Sequence, residues 1–530
     1  MPANFKPLSF TTTVRNPERI KFFIKVLEKF EGEKLTNNLS TRILLELICE
    51  KIIRPDQGFL RHSKLKVTYF SNKKFSIEEA KKLLDATTPA KKQRGFNVGP
   101  PSRFESYFNT PKRLGLVFYQ PPNVHEDKIL ISDLGKKLSK EVTLEGISEP
   151  HKVSNVSEME QAIFAHCYSK YQRKNPYTAE LNHNCPVSLL LRLITKLKED
   201  PDKLTDAGLS VKEISIYGIW KDNNSENLFK TIKDFRKKYG LNPSDEVLLD
   251  KVWEINGGVY NSYQNKSILK DLPDEIVRKM RITGLFTLRG GGRYLDINQN
   301  KIDMCQYIIK NYSDVKNFRL HNHEDIKKYY DYTSKIDDSF LDIKEIKEDT
   351  TELSQIDYWS KEFGWDLIKS ELKILQNRSN SRHPILRIIP NPTRLEFLIA
   401  LAIHIKCLKY EVKPNYKVDD QGLPTSTALG NMADIECYNE NEIALTEVTL
   451  HTSGHQQSAN EIPKVSRHVL DKRKQFPEKN PYCVYITPKM HQDALLMSKW
   501  MSEEHNKNVV ILPHDIDIFL EKIESSGTLN

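Results

Sequence analysis

The sequence predicts a multidomain α+β protein: modules of helices that end in short β-ribbons, a mainly helical connector, and a C-terminal α/β domain with a central mixed sheet. Three observations predict it. The 530 residues make about three or four domains at roughly 100–200 residues each. Twice before residue 315, helically periodic segments give way to a pair of short strands. After Pro390 the order becomes helix, strand, strand, helix, strand, the pattern of a sheet covered by helices.

The first module opens with apolar residues at helical spacing over 17–30 and again over 39–53, with a short helix over 77–84. A Pro/Gly-bearing segment, Pro89 to Pro111, reads as loop. Leu114-Gly-Leu-Val-Phe-Tyr-Gln and Lys128-Ile-Leu-Ile read as strands around a polar loop, before a helix over 132–141. Helices followed by a two-stranded ribbon outline a winged helix, and the outline returns. Helices over 158–171, 187–197, 225–239, 245–255 and 274–280 lead to Gly284-Leu-Phe-Thr-Leu-Arg, a Gly290-Gly291-Gly292 tip, Arg293-Tyr-Leu-Asp-Ile and a helix over 301–312. Residues 321–360 then hold 11 Asp/Glu against 5 Lys/Arg, a stretch that phosphates repel and that suits a connector. The C-terminal pattern is helix 393–409, strands 433–438 and 442–450, helix 463–475 and strand 482–487. The divisions expected are 1–150, 151–315, 316–385 and 386–530.

Composition narrows the function. With 38% hydrophobic and 28% charged residues of both signs, the chain has enough apolar residues for several cores. No run approaches the roughly 18 apolar residues of a membrane span, and Met1-Pro2-Ala3-Asn4-Phe5-Lys6 carries no signal-peptide core; the expectation is a cytoplasmic protein that does not engage a membrane. Seven scattered cysteines show no zinc spacing and read as reduced, mostly buried thiols. The net charge of +9 is mild for a polyanion binder, so its placement matters more than its size. Residues 91–113 gather Lys91, Lys92, Arg94, Arg103, Lys112 and Arg113 against one acid, Glu105, with Phe96, Phe104, Tyr107 and Phe108 between them. Such a stretch suits DNA phosphates and base edges, and equally a solvated basic loop. Arg289 and Arg293 flank the glycine tip and could set two cations on a wing; an ordinary glycine hairpin has the same sequence.

The strongest site signal is C-terminal. Asp434 opens one predicted strand, and the next, Ile443-Ala-Leu-Thr-Glu447-Val-Thr449-Leu450, alternates to put Glu447 and Thr449 on one face, with Val448 and Leu450 toward the core. Two carboxylates brought together at a hairpin rim repel each other unless a hard cation such as Mg²⁺ neutralises them. Glu396, on the helix opened by Asn391-Pro392-Thr393, could add a third acid. From spacing alone, two ordinary surface carboxylates are the favoured reading.

The motifs change that balance. Leu429-Gly-Asn-Met-Ala-Asp434-Ile-Glu, Ile443-Ala-Leu-Thr-Glu447-Val-Thr449, Pro463-Lys-Val-Ser-Arg467-His468 and Asp471-Lys-Arg-Lys resemble the cleavage domain of AlwI-type type IIS restriction endonucleases, a group that includes nicking enzymes. Thr13-Val-Arg15-Asn-Pro-Glu-Arg19-Ile, Lys112-Arg-Leu-Gly-Leu-Val-Phe-Tyr and Arg281-Ile-Thr-Gly-Leu-Phe-Thr-Leu-Arg289 resemble the same group, with 315–390 the poorest match. The resemblance implies a bacterial cytoplasmic enzyme whose N-terminal winged-helix modules grip double-stranded DNA, with Arg15 and Arg19 joining the basic candidates. It implies a PD-(D/E)xK-like nuclease domain cutting outside the recognition site with Mg²⁺. Catalytic positions would be Glu396, Asp434, Glu447, Glu461 and His468, with Asp434, Glu447 and Glu396 on the metal. The stretch from Glu447 to Glu461 is about one residue longer than the family pattern. Thr449 stands where the general Asp…Glu-x-Lys pattern has lysine, as Thr or a similar residue does in this group, and His468 and Glu461 are expected to fill the vacancy. Asn175-Pro-Tyr and Asn480-Pro-Tyr lack the second proline of an amino-methyltransferase motif, so a separate methyltransferase would protect host DNA. Double-strand cleavage would need a transient homodimer or a small catalytic subunit; otherwise the product is a nick. The rival reading is an inactive winged-helix DNA-binding protein.

Overall fold

The computed structural model describes residues 5–10, 13–71, 73–86, 93–144, 156–258, 262–343 and 352–530. The chain forms two compact units, each assembled from non-contiguous segments: Met1–Leu197, Leu209–Phe286 and Lys301–Lys344 in one, Lys198–Gly208, Thr287–Asn300 and Glu345–Asn530 in the other. Among the described residues no helix is long and apolar enough to cross a membrane, and all seven cysteines are free and buried.

The first unit is mainly helical, and its helices begin where side chains satisfy the first-turn N–H groups. Thr36 caps Asn37–Cys49 and Ser132 caps Asp133–Ser139. Ser76 and Ser157 form capping boxes with Glu79 and Glu160 at the starts of Ile77–Asp85 and Glu158–Lys170. The segment read as a Pro/Gly loop holds instead the helix Pro100–Arg113. Pro100 and Pro101 occupy its first turn, where no N–H bond is lost. Phe104 and Phe108, one turn apart, are fully buried with ring centroids 4.4 Å apart; the aromatics between the basic residues are therefore core. The ribbon that follows is short, Val117–Phe118 antiparallel to Leu130–Ile131.

The second ribbon, Phe286–Arg289 and Tyr294–Ile297, turns through Gly290, Gly291 and Gly292, with φ of 62°, 66° and 86°. Three successive left-handed residues exclude most side chains. From Thr287 onward this hairpin belongs to the second unit.

The heart of that unit is a five-stranded mixed sheet. In chain order it comprises helix α1 (Asn391–Lys406), strands β1 (Glu411–Pro414), β2 (Ile435–Tyr438) and β3 (Glu442–Val448), helix α2 (Ile462–Gln475), β4 (Asn480–Thr487), α3 (Gln492–Glu504), β5 (Ile511–Asp515) and α4 (Ile516–Ser526). The strands lie side by side in sequence order; β1, β2 and β3 are antiparallel, and β3, β4 and β5 parallel. The parallel neighbours are joined by α2 and α3, as parallel strands require. One face packs Ala444, Val484 and Ile486 against α1, α4 and the helical stretch Glu352–Gln376, which breaks at Gly364, through Leu398, Phe519 and Leu372. The other packs Ile443, Leu445, Cys483 and Tyr485 against Val465, Val469 and Ala494 of α2 and α3. Val448 and Leu450 face the first core as expected, but the Glu447 side of β3 is covered too, so its carboxylate sits in a protein-walled recess.

Candidate active site

The β2–β3 register sets the site. Ile435 pairs with Thr446, so Asp434 and Glu447 stand opposite each other one position further on, where opposed side chains leave the same face. Asp434 is fixed there because its Oδ2 accepts the Val448 N–H at 2.8 Å. Glu396 comes in from α1, 4% exposed, with Oε2 accepting the Ala428 N–H at 3.0 Å. Glu447, 3% exposed, places Oε1 2.5 Å from His468 Nδ1 on α2.

The electrostatics mark these acids as one group. Burial pushes the Glu396 carboxyl up to about 7, Glu447 adds to the rise, and the Ala428 N–H and Lys464 oppose it. Burial, then the charges of Glu447 and Glu396, raise Asp434 well above the usual carboxylate range. An acid cluster that resists ionisation through burial first and mutual repulsion second is one whose charges need a counter-ion.

Glu461 ends the π-turn Gln456–Glu461 at the start of α2 and lies half-buried. After burial itself, its charge is the largest influence raising the Tyr485 hydroxyl, and Tyr485 is the β4 residue paired with Glu447. Sequence reasoning missed Lys464, one turn before His468 on α2, whose Nζ lies 3.9 Å from Glu447 Oε2. The signal was present as the i, i+4 spacing of Lys464 and His468 on one helix face.

The donor chemistry fits a hard divalent cation: Asp434, Glu396 and Glu447 each commit one oxygen to an N–H or imidazole and keep a second. Among the described residues, no three His, Cys, Asp or Glu side chains converge closely enough to form a finished ligand set. Two carboxylates with water and phosphate oxygens are the usual complement for Mg²⁺.

The basic candidates divide by burial. Lys112 is 3% exposed, bonded to Glu105 at 2.7 Å and set over the Tyr119 ring at 4.3 Å. Arg289 is 2% exposed and clasped by Asp296 at 2.7 Å, Asp419 at 2.7 Å and Asp420 at 3.2 Å. Both were expected on DNA; burial and full pairing make them internal ties instead. Arg293 is exposed, but it donates to the Gly290 and Ile388 carbonyls. Arg19 donates to the Ile52 carbonyl, and Arg113, half-buried, reaches the Tyr171 hydroxyl. Arg103 is half-buried beside Tyr107. Arg94 is exposed, and Arg15, also exposed, pairs with Asp274 at 3.2 Å. Lys91 and Lys92 lie outside the described residues.

Residues 112–355 and 330–521 match the family model of the AlwI restriction endonuclease. The chain belongs to the AlwI restriction endonuclease family. Membership makes it a DNA-binding nuclease of a restriction system, and the acid cluster lies within the second matched stretch. No curated protein matches the chain. Among solved structures, the small subunit of the heterodimeric restriction endonuclease R.BspD6I is similar at 19% identity, TM-score 0.26, over 31% of this chain and 82% of that one. Restriction endonuclease FokI is similar at 11% identity, TM-score 0.25, over 99% of this chain and 96% of its own. FokI bound to DNA gives 11% identity, TM-score 0.24, over 100% and 96%. At these scores the structural likeness is too loose to transfer any residue's role.

Proposed function

We propose that this AlwI-family chain is a type IIS restriction endonuclease. In this reading winged-helix-type modules within 1–150 and 151–315 recognise a short asymmetric sequence in double-stranded DNA. A PD-(D/E)xK-like domain centred on 386–530 hydrolyses phosphodiester bonds a few base pairs outside it, with the acidic stretch within 316–385 leading into it. The observation that supports it best is the opposition of Asp434 and Glu447 at the β2–β3 rim, with His468 bonded to Glu447.

Asp434 and Glu447, assisted by Glu396, would hold Mg²⁺, which supplies a Lewis acid for the phosphate and lowers the pKa of water. The chain's own residues do the rest. The Val448 and Ala428 N–H groups fix the Asp434 and Glu396 carboxylates, so these acids lose little freedom when a cation arrives. Glu447 holds the His468 ring through Nδ1 and leaves Nε2 to take a proton from the attacking water. Glu461, at the mouth of the same helix, orients that water. The α2 and α3 side chains packed on the Glu447 face keep bulk solvent out.

Cleavage of supercoiled plasmid with Mg²⁺ tests the reading. Asp434→Ala should bind DNA as the unsubstituted chain does and yield no product; full activity of that variant overturns the assignment. A single site cuts one strand at a time, so a linear product means two cleavage domains, or a small partner subunit, act together. A product that stops at open circle makes the protein a strand-specific nicking enzyme. Host DNA would be protected by a separate methyltransferase.

A further inference from the structure

The proposed nuclease site lacks the lysine of the wider PD-(D/E)xK pattern, and Thr449 does not make up for it. The Thr449 N–H donates to the Ile486 carbonyl at 3.0 Å, and its Oγ1 accepts the His451 N–H at 3.2 Å; the residue serves the turn that ends β3. The geometry points to Lys464 as the amine of the site, delivered by helix α2 instead of strand β3. This rests on the reading of Asp434 and Glu447 as the catalytic acids.

Three observations carry it. Lys464 Nζ lies 3.9 Å from Glu447 Oε2, the oxygen that His468 leaves free. Val465 and Val469 anchor α2 in the core, so Lys464 and His468, four residues apart, present their heads to one carboxylate from a fixed helix face. The Lys464 side chain is 39% exposed while Glu447 is 3% exposed, so its ammonium bridges the buried acid and the solvent side from which a phosphate arrives. Its charge also opposes the rise in both Asp434 and Glu396. Other cations of α2 are engaged elsewhere: Lys472 bonds Glu436 at 2.9 Å, and Arg473 donates to the Asn508 carbonyl at 3.0 Å. Lys464 therefore stabilises negative charge developing on the scissile phosphate, and His468 is left to manage the proton.

The test uses the full-length chain, Mg²⁺, and plasmid DNA that the unsubstituted protein cuts. Lys464→Cys and Lys464→Gln should lose about 100-fold or more in single-turnover cleavage, with DNA affinity and melting temperature unchanged. Lys464→Arg should keep most of the rate. The seven native cysteines are buried, so 2-bromoethylamine alkylates the new thiol, displacing bromide and restoring an amine one sulfur from the lysine position. That treatment should recover at least about a tenth of the lost rate, whereas iodoacetamide should recover none. Cleavage by Lys464→Cys or Lys464→Gln within a few-fold of the original overturns the assignment, as does rescue by iodoacetamide. Glu447→Gln separates the two claims. If it is inactive while Lys464→Gln is active, only the lysine assignment falls; if Glu447→Gln is active too, the nuclease site itself is misplaced.

Discussion

Glu447 Oε1 and His468 Nδ1 lie 2.5 Å apart, joining the middle of a sheet to the helix that crosses its face. A carboxylate on one ring nitrogen fixes the tautomer and the direction of the other. His468→Ala should therefore slow single-turnover cleavage about 100-fold or more without weakening DNA binding in filter or anisotropy titrations. An equal loss of binding and cleavage would instead make His468 a DNA contact.

The acid cluster gives the site a pH dependence of definite sign. Glu396 titrates near 7 in the folded chain against a usual 4.5, and Asp434 is shifted the same way. Acids raised on folding favour the native state while protonated, so the stabilisation is complete below about 4.5 and is lost as pH rises through about 7. In EDTA, melting temperature should fall from about pH 5 to about pH 7 and level off above it, and added Mg²⁺ or Ca²⁺ should reverse most of the fall. Glu396→Gln should flatten the slope. A profile unchanged by that substitution would show that Glu396 is not the titrating group.

Arg289 ties Asp296, Asp419 and Asp420 together in the interior, with Lys198 on Asp296 at 3.0 Å, and burial alone would lower its pKa where those three acids raise it. Arg289→Met leaves carboxylates unpaired in the interior, a loss of about 3–5 kcal/mol that urea denaturation measures. Arg293→Ala, at an exposed position beside it, should cost under about 1 kcal/mol.

Lys112 and Arg94 separate structure from DNA contact within one basic stretch. Lys112→Ala removes a buried ammonium from half-buried Glu105, which keeps only the Tyr119 hydroxyl at 2.8 Å, and should destabilise the chain by about 3 kcal/mol. Arg94→Ala should leave stability alone, weaken DNA binding, and lower the slope of log affinity against log salt by about 1. An unchanged salt slope would remove Arg94 from the interface.

Much of this architecture is readable in the sequence because periodicity and caps are local. The strand that Asp434 immediately precedes, the strand holding Glu447, and the helices holding Glu396 and His468 begin and end within a few residues of where their patterns place them. The helix Pro100–Arg113 is not legible, because three prolines and a preceding glycine read as loop until Phe104 and Phe108 find a core to fill. Nor are the fates of Lys112 and Arg289: a basic residue looks the same whether solvent or a distant carboxylate awaits it. Lys464 is hidden for the opposite reason, among many cations on one helix, and only the crossover of α2 above β3 singles it out.

The Arg289 tie also bears on whether the cutting module can be transplanted. The carboxylates it satisfies at 419 and 420 and the hairpin that carries it are more than a hundred residues apart, and residues 198–208 join the same unit. A fusion made by severing the chain near residue 386 would leave that arginine behind and strand two acids in the transplanted piece. A portable cutter would need the hairpin grafted back by a new linker, or Asp419 and Asp420 replaced by neutral residues of the same size.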